Sequence, residues 1–223
     1  MTDSAPAAVV SSDFQAVVQA RGATTATIER IVTHAKDTRS FFLRLRESRR
    51  LTFKPGQFLS FLLPVENAIL TRPYSIASDP EEDDLLEICL NLVPGGRGSH
   101  YLFTCKIGDL LHFTGPWGTF VLDQPPDAEC IFLADGTGIA PIRPMIRRVL
   151  IKGEGQPLCL LYGADTADSL LYCHELANWR NQYPRFRFES ILRQPPPGWQ
   201  GLSGKLHEHV GRRFISKDSA SED

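Results

Sequence analysis

Metal-binding and nucleic-acid-binding features are scarce in this sequence. Its five cysteines are widely spaced, and neither a Cys-x-x-Cys pair nor the ligand spacing of an iron–sulfur centre occurs. A formal net charge of −2 provides no basic excess for nucleic acid. His207-Glu208-His209 offers no metal site, because residues two apart do not share a helix face and no third ligand is evident. We therefore predict no metal and no nucleic-acid partner.

Long apolar runs are also missing. The longest are of strand length, so none is expected to span a membrane. Ala7-Ala8-Val9-Val10 is too short for the apolar part of a signal peptide, which favours a cytoplasmic protein. With 223 residues, 42% of them apolar, the chain has enough material for two modest domains, each with its own core.

The hydrophobic pattern changes at Gln124-Pro125-Pro126, which reads as a linker. Before it, several short strands at close spacing predict an all-β half, an antiparallel Greek-key barrel over residues 23–124. After it, continuous apolar strands alternate with helices, which predicts a parallel α/β domain over residues 127–215. Residues 1–22 are predicted to form a loose arm and residues 216–223 a polar tail.

One predicted strand of the barrel carries Arg72-Pro73-Tyr74-Ser75. Residues two apart point the same way, so Arg72 and Tyr74 share a face and Ser75 takes the other. Arg72 suits a phosphate, Tyr74 suits a flat ring or a hydroxyl, and Pro73 indicates a strand edge. These are the parts that a flavin dinucleotide needs, and Ser75 is small enough to lie beside the flavin N5. Taken alone, the tetrapeptide is also compatible with an ordinary strand.

A second motif, Gly96-Arg97-Gly98-Ser99, lies between a strand and a helical stretch. The free N–H groups and the dipole of a helix start form an anion site, and glycines let the backbone approach a pyrophosphate. Ser99 is expected either to cap the helix or to donate to a phosphate. Arg97 adds positive charge, although an exposed loop arginine needs no ligand.

A third motif follows a buried strand and opens a helix. It is Gly136-Thr137-Gly138-Ile139-Ala140-Pro141. This context suits a nicotinamide dinucleotide, because a helix start then faces the crevice at the strand's carboxyl end. Asp135 precedes the motif, where a carboxylate is unfavourable beside a phosphate unless it points away.

The next predicted strand ends near Gly163, and Asp165 follows it. A carboxylate repels the 2′-phosphate of NADPH and accepts hydrogen bonds from the free ribose of NADH. Arg193, after the third strand, argues for NADPH. We give Asp165 more weight and predict a preference for NADH, with NADPH as the alternative; Asp165 is also compatible with a plain helix-start role.

Together and in this order, the three motifs resemble the ferredoxin–NADP reductase family of flavoenzymes over about residues 25–210. The resemblance implies that the first two motifs bind FAD, that the backbone of Asn91-Leu92-Val93 lines the flavin ring, and that Ser75 is the residue beside N5. It implies hydride transfer from NAD(P)H to flavin, and electron delivery to a separate acceptor: a ferredoxin, a cytochrome, an oxygenase component or a small molecule. The alternatives are a regulatory module that binds both dinucleotides without turnover, and an electron-transfer subunit of a larger complex.

The resemblance weakens at the end of the chain. In the family, a further strand with a Cys-Gly turn follows the region that corresponds to residues 204–210, and nothing like it occurs after Val210. We therefore expect an incomplete parallel sheet, and either a fragment or a member with slow hydride transfer, because small misplacements of a reacting group cost rate steeply.

Overall fold

The computed structural model describes residues 12–47, 50–81, 85–122, 128–152 and 157–210. Across these ranges the strands form two sheets, one of six strands and one of four. None of the helices described is long and apolar enough to cross a membrane. The predicted linker at Gln124-Pro125-Pro126, the predicted polar tail and the segment after Val210 lie outside the described residues.

The first sheet is an antiparallel barrel. Its strands are β1 (Thr24–Ala35), β2 (Thr38–Leu45), β3 (Phe58–Val65), β4 (Ala68–Ser75), β5 (Leu86–Asn91) and β6 (Leu110–Trp117). They lie in the order β4-β3-β6-β1-β2-β5, and a bridge between Ile76 and Ile88 brings the end of β4 against β5. Phe41, Phe61 and Phe113 are fully buried between the strands. The barrel predicted from the strand spacing is confirmed.

Two helices pack on the barrel, α1 (Ser12–Ala20) and α2 (Arg97–Thr104). The first corrects the predicted loose arm for residues 12–20. Phe14 and Val18 lie four residues apart on one face of α1 and are buried against Leu62 and Ile69 of the barrel. The helix was missed because two anchoring side chains in a short, Ala- and Val-rich stretch give too little helical period.

The second sheet is parallel. Its strands are β7 (Cys130–Asp135), β8 (Leu158–Ala164), β9 (Phe186–Leu192) and β10 (Leu202–Ser203), in the order β10-β9-β8-β7. The helices of this half are α3 (Ile139–Ile151), α4 (Cys173–Gln182) and α5 (Leu206–Val210). Every residue of β8 is buried, because one face of the sheet packs against α3 and α4 and the other against α5. This confirms the parallel α/β half expected from the continuous apolar strands.

Candidate functional site

The first motif lies on β4, which pairs with β3 at one edge of the six-stranded sheet. Pro73 therefore falls on an edge strand, where its missing N–H costs no ladder hydrogen bond. Arg72 and Pro73 are exposed, while Tyr74 and Ser75 are half-buried. The Tyr74 ring meets Phe61 edge-on, with 5.9 Å between the ring centroids. Burial raises the pKa of Tyr74 and the charge of Arg72 opposes that shift, so the phenol stays protonated and available as a donor.

The first and second motifs meet where Arg72 crosses the first turn of α2. A Cβ atom placed on Gly98 would lie 2.8 Å from Cγ of Arg72 and 3.4 Å from Cδ1 of Leu63. Only glycine leaves room for the arginine side chain here. Arg72 donates from Nη1 to the Thr71 carbonyl oxygen at 2.9 Å, and its guanidinium lies in an exposed side chain beside the helix start. An anion bound at this helix start would therefore meet a guanidinium as well.

The loop before α2 is held by Ser99, which is only 5% exposed. Its hydroxyl donates to the Gly96 carbonyl oxygen at 2.9 Å and accepts from the Val93 N–H at 3.1 Å. The hydroxyl thus holds the loop that precedes the helix, and its one hydrogen is given to the Gly96 carbonyl oxygen instead of a phosphate. The first helical hydrogen bond runs from the His100 N–H to the Gly96 carbonyl oxygen, so the N–H groups of residues 97–99 lie in the first turn of α2, where a helix offers N–H groups to an anion.

The strand end beside this loop is fixed in the same way. The Leu92 N–H donates to the Asp37 carbonyl oxygen at 2.7 Å, which ties the end of β5 to the hairpin between β1 and β2. Arg97 is paired with Glu66 at 2.8 Å on the surface. Its charge is thus partly compensated, whereas Arg72 has no carboxylate partner among the described contacts. The residues fit a dinucleotide pyrophosphate.

The third motif forms a tight turn between β7 and α3. Residues Gly136–Gly138 make a short 3-10 turn, and Gly136 has φ +52°, a left-handed conformation that favours glycine. The hydroxyl of Tyr162 in β8 donates to the Gly136 carbonyl oxygen at 3.0 Å and accepts from the Leu171 N–H at 3.0 Å. Tyr162 is fully buried, and that burial raises its pKa. It is a supporting residue that sequence reasoning missed; the signal was one tyrosine in a buried aliphatic strand.

Three charged side chains meet at the carboxyl ends of the parallel strands. Arg193 donates from Nη1 to Asp135 at 2.7 Å and from Nε to Asp165 at 2.5 Å. These hydrogen bonds, that to Asp135 first, raise the pKa of Arg193. In the sequence, Asp165 favoured NADH and Arg193 favoured NADPH. In the structure, both belong to one cluster with Asp135, and this cluster has a net charge of −1. Asp135 points at this arginine, and Thr166, not Asp165, occupies the N-cap position of the short turn that follows.

A cleft of about 860 Å³ runs between the barrel and the α/β domain. His34, Leu92 and His100 line it from the barrel, and Thr166 and Asp168 line it from the loop after β8. It therefore joins the strand end of the first site to the loop of the second. No group of three or more His, Cys, Asp or Glu side chains suited to a metal ion occurs in the part of the chain that the structure describes.

Comparison with known proteins matches both halves of the chain. Residues 25–122 match the oxidoreductase FAD-binding domain, and residues 132–223 match the oxidoreductase NAD-binding domain. The chain is 33% identical to ferredoxin–NADP reductase B of Sorangium cellulosum over 177 residues. This alignment covers 79% of this chain and 72% of that protein. Over 180 residues it is 34% identical to the phenol hydroxylase P5 protein of Acinetobacter pittii, covering 78% of this chain and 50% of that one.

Solved structures show the same fold. The crystal structure of Amycolatopsis cytochrome P450 reductase GcoB aligns with a TM-score of 0.77 at 28% identity, over 87% of this chain and 58% of that one. A ferredoxin NADP⁺ reductase from Neisseria gonorrhoeae with bound FAD and NADP aligns with a TM-score of 0.74 at 24% identity, over 85% and 76%. The chain thus spans only about half the length of several relatives, such as the phenol hydroxylase P5 protein.

These matches agree with the geometry of both sites. The barrel offers a cationic helix start for one dinucleotide, and the α/β domain offers a glycine turn for the other. FAD and a nicotinamide dinucleotide are the cofactors, as predicted from the three motifs. The family prediction is confirmed: the chain belongs to the ferredoxin–NADP reductase-like family of FAD-dependent NAD(P)H oxidoreductases.

Proposed function

We propose that this chain takes a hydride from NADH, passes it to FAD bound on the barrel, and delivers the electrons to a separate acceptor. The observation that carries the flavin part is the crossing of Arg72 over Gly98 at the start of α2. FAD, when bound, supplies the flavin ring that accepts the hydride at N5. The residues of this chain hold and orient the two dinucleotides.

On the barrel, Arg72 and the N–H groups at the start of α2 bind the pyrophosphate. Tyr74 packs on the flavin or donates to its ribityl chain, and the half-buried Ser75 places its hydroxyl beside N5. The backbone of Asn91-Leu92-Val93 lines the ring. In the α/β domain, residues 136–141 and Gly163 receive the nicotinamide dinucleotide. The domain boundaries we propose, 23–124 and 127–215, place β1–β6 with the first site and β7–α5 with the second.

The preference for NADH rests on the cluster of Asp135, Arg193 and Asp165. A lone arginine here would attract the 2′-phosphate of NADPH. With two carboxylates on its guanidinium, the arginine has few donors left, and the net charge of −1 repels the phosphate. Asp165 is exposed and can accept hydrogen bonds from a free ribose diol.

Steady-state rates with both nucleotides test this preference. We expect kcat/KM to be higher with NADH, and Asp165→Arg to shift the ratio toward NADPH by about tenfold or more, since each 1.4 kcal/mol is a factor of ten. Asp13→Arg is the matched control, because it makes the same charge change on the exposed face of α1. A wild-type protein that works faster with NADPH would show that Arg193 dominates.

Relatives include an aromatic O-demethylase reductase subunit and a phenol 2-monooxygenase reductase component. We therefore propose an oxygenase component or a cytochrome as the acceptor, ahead of a ferredoxin or a small molecule. We place the reaction in the cytoplasm, because all five cysteines are free thiols, as a reducing compartment favours.

A second candidate is an electron-transfer subunit that works only in a larger assembly, which the relatives named as an aromatic O-demethylase reductase subunit and an anthranilate 1,2-dioxygenase electron transfer component favour. Anaerobic titration of the yellow protein with NADH separates the two. Bleaching of the flavin by NADH alone supports the reductase. Bleaching only after a partner is added supports the subunit, and flavin that never bleaches supports a binding module without turnover.

A further inference from the structure

A buried carboxylate of the barrel faces the α/β domain. Glu87 in β5 is 3% exposed. Its oxygens accept from the Ser40 hydroxyl at 2.6 Å, the Tyr172 hydroxyl at 2.8 Å and Nη1 of Arg143 at 3.1 Å. Ser40 belongs to the barrel, whereas Tyr172 and Arg143 belong to the α/β domain. A buried carboxylate needs all of its partners. Glu87 is fully paired only when the two domains are docked as they are here.

Arg143 links this carboxylate to the nucleotide turn. Helix α3 begins directly after Gly136–Gly138, and Arg143 lies in its second turn. Its guanidinium donates to the Ala77 carbonyl oxygen of the barrel at 2.7 Å and to both oxygens of Glu175 in α4, at 2.5 and 3.0 Å. One rigid helix therefore carries the nicotinamide turn at its start and a contact with the flavin domain one turn later.

Tyr172 supplies the third part of the contact. It immediately precedes α4 and has φ +57°, a conformation that costs energy for a residue other than glycine. Its hydroxyl bond to Glu87 holds it there. The guanidinium of Arg143 lies 4.6 Å from the centre of its ring, and the His34 ring of the barrel meets it edge-on at 5.9 Å. A strained backbone is thus retained at a point where the two domains touch.

A second ion pair spans the same interface. Arg147, one turn after Arg143 on α3, lies 3.3 Å from the carboxylate of Asp79, which follows the strand that carries the first motif. Asp79 is 6% exposed. The same face of α3 therefore makes two charged contacts with the barrel, and the helix cannot turn about its axis without breaking both.

We propose that Glu87, Arg143 and Tyr172 are positioning residues that fix the nucleotide turn against the flavin-binding barrel and so set the rate of hydride transfer. This inference rests on the proposed function. The three residues act through the docking of the two domains. Because hydride transfer requires the two rings in contact, a shift of about 1 Å between the domains is expected to cost up to about 100-fold in rate.

Glu87→Gln tests the proposal in the full chain with FAD bound. We expect the limiting rate of flavin reduction in stopped flow to fall about 10- to 100-fold, with FAD content and the Kd for NADH essentially unchanged. Differential scanning calorimetry gives a readout independent of turnover: one transition in the wild type, and two separate transitions, one for each domain, in the variant. Tyr172→Phe removes a single hydroxyl and is expected to show a smaller change in the same direction.

Glu29→Gln is the matched control. It also removes a carboxylate from an arginine pair of the barrel, with Arg44, but on the exposed surface, so it should change neither rate nor transitions. An unchanged limiting rate and a single transition in Glu87→Gln would overturn the proposal. If that variant does not fold, Tyr172→Phe decides the matter in the same two measurements. If NADH does not reduce the wild-type flavin, the proposed function fails, and calorimetry alone decides whether these residues couple the domains.

Discussion

The flavin site of the barrel and the nucleotide site of the α/β domain are both built on a glycine turn before a helix, but their charges differ. In the barrel, Ser99 fixes the loop, and Arg72 brings a guanidinium to the helix start with no carboxylate paired to it among the described contacts. In the α/β domain, Arg193 is held between Asp135 and Asp165. One site presents uncompensated positive charge and the other a net negative cluster.

This difference matches the two kinds of ligand. A cofactor that stays bound through many turnovers gains from charge-assisted hydrogen bonds to its phosphates. A nicotinamide dinucleotide must leave after each hydride transfer. Binding it more tightly does not raise kcat when substrate and transition state are bound equally well. The same turn-and-helix element therefore serves retention in one domain and exchange in the other, according to the charges around it.

The largest expected effect is on the flavin side. Arg72→Ala removes the guanidinium beside the start of α2, and losing such a partner costs ~2–5 kcal/mol when the other charge stays buried. We expect the purified variant to be largely free of flavin, measured as the ratio of flavin to protein absorbance and by FAD titration. Arg97→Ala is the control, because that arginine pairs with Glu66 on the surface and should cost under ~1 kcal/mol. Full flavin occupancy in Arg72→Ala would remove this residue from the site.

Two glycine substitutions sharpen the comparison. Gly98→Ala must displace Arg72, whose Cγ would lie 2.8 Å from the new Cβ, so we expect a loss of ~1–3 kcal/mol in FAD binding, as for overpacking. At Gly138 a Cβ atom would meet nothing within 4 Å. Gly138→Ala is therefore expected to leave folding and flavin content unchanged. It should raise only the KM for NADH, because the new methyl group would occupy space that we propose for the dinucleotide. The opposite pattern, with flavin lost in Gly138→Ala and kept in Gly98→Ala, would contradict the assignment of the two turns.

The smallest expected effect concerns pH and the barrel. Burial lowers the pKa of His34, and the nearby charge of Glu87 opposes that shift in part. The Ser40 hydroxyl gives its one hydrogen to Glu87, so Nε2 of His34 donates to Ser40, at 2.8 Å, in the neutral ring. A histidine held neutral stabilises the fold fully above its unfolded pKa of about 6.5 and loses that contribution as pH falls toward its lower folded value.

We therefore expect the melting temperature to fall by no more than about 2–4 °C between pH 7.5 and 5.5 through this group. His34→Gln should flatten that dependence, as measured by thermal denaturation across the pH range. His112→Gln in β6 is measured in the same way for comparison, because burial lowers the pKa of His112 too, and its ring packs against Phe14 of α1 instead of the interface with the α/β domain. A melting temperature in His34→Gln as sensitive to pH as in the wild type would mean that other groups carry the effect.

The sequence predicted both sheets because their patterns are local. Short strands at close spacing marked the barrel, and continuous apolar runs marked β7 and β8. Helix α1 was not predicted, because its two buried side chains, Phe14 and Val18, are too few to show a helical periodicity. Glu87 escaped for a different reason: in an alternating strand a charged residue is expected to face solvent, yet β5 is buried at every position from Leu86 to Leu90, since the α/β domain covers its outer face.

The two polar clusters could not be predicted from the sequence, because their members lie far apart along the chain. Arg193 and Asp135 are 58 positions apart, and Arg143 and Glu87 are 56 apart, so nothing in the local pattern pairs them. The residues of each motif could be placed on strands and turns in advance. Which charge lies against which depends on how the two halves of the chain pack together.

The hydroxyl of Tyr162 has one more consequence. It joins the Gly136 turn to the loop that leads into α4, and both of its partners are backbone atoms. Side chains in those two loops can therefore be substituted without loss of these two hydrogen bonds, provided that the backbone conformation of Gly136 is kept. The nucleotide preference that we propose for Asp135, Asp165 and Arg193 can then change by substitution while the two hydrogen bonds of Tyr162 stay the same. In this fold one buried tyrosine leaves the neighbouring loops free to diverge.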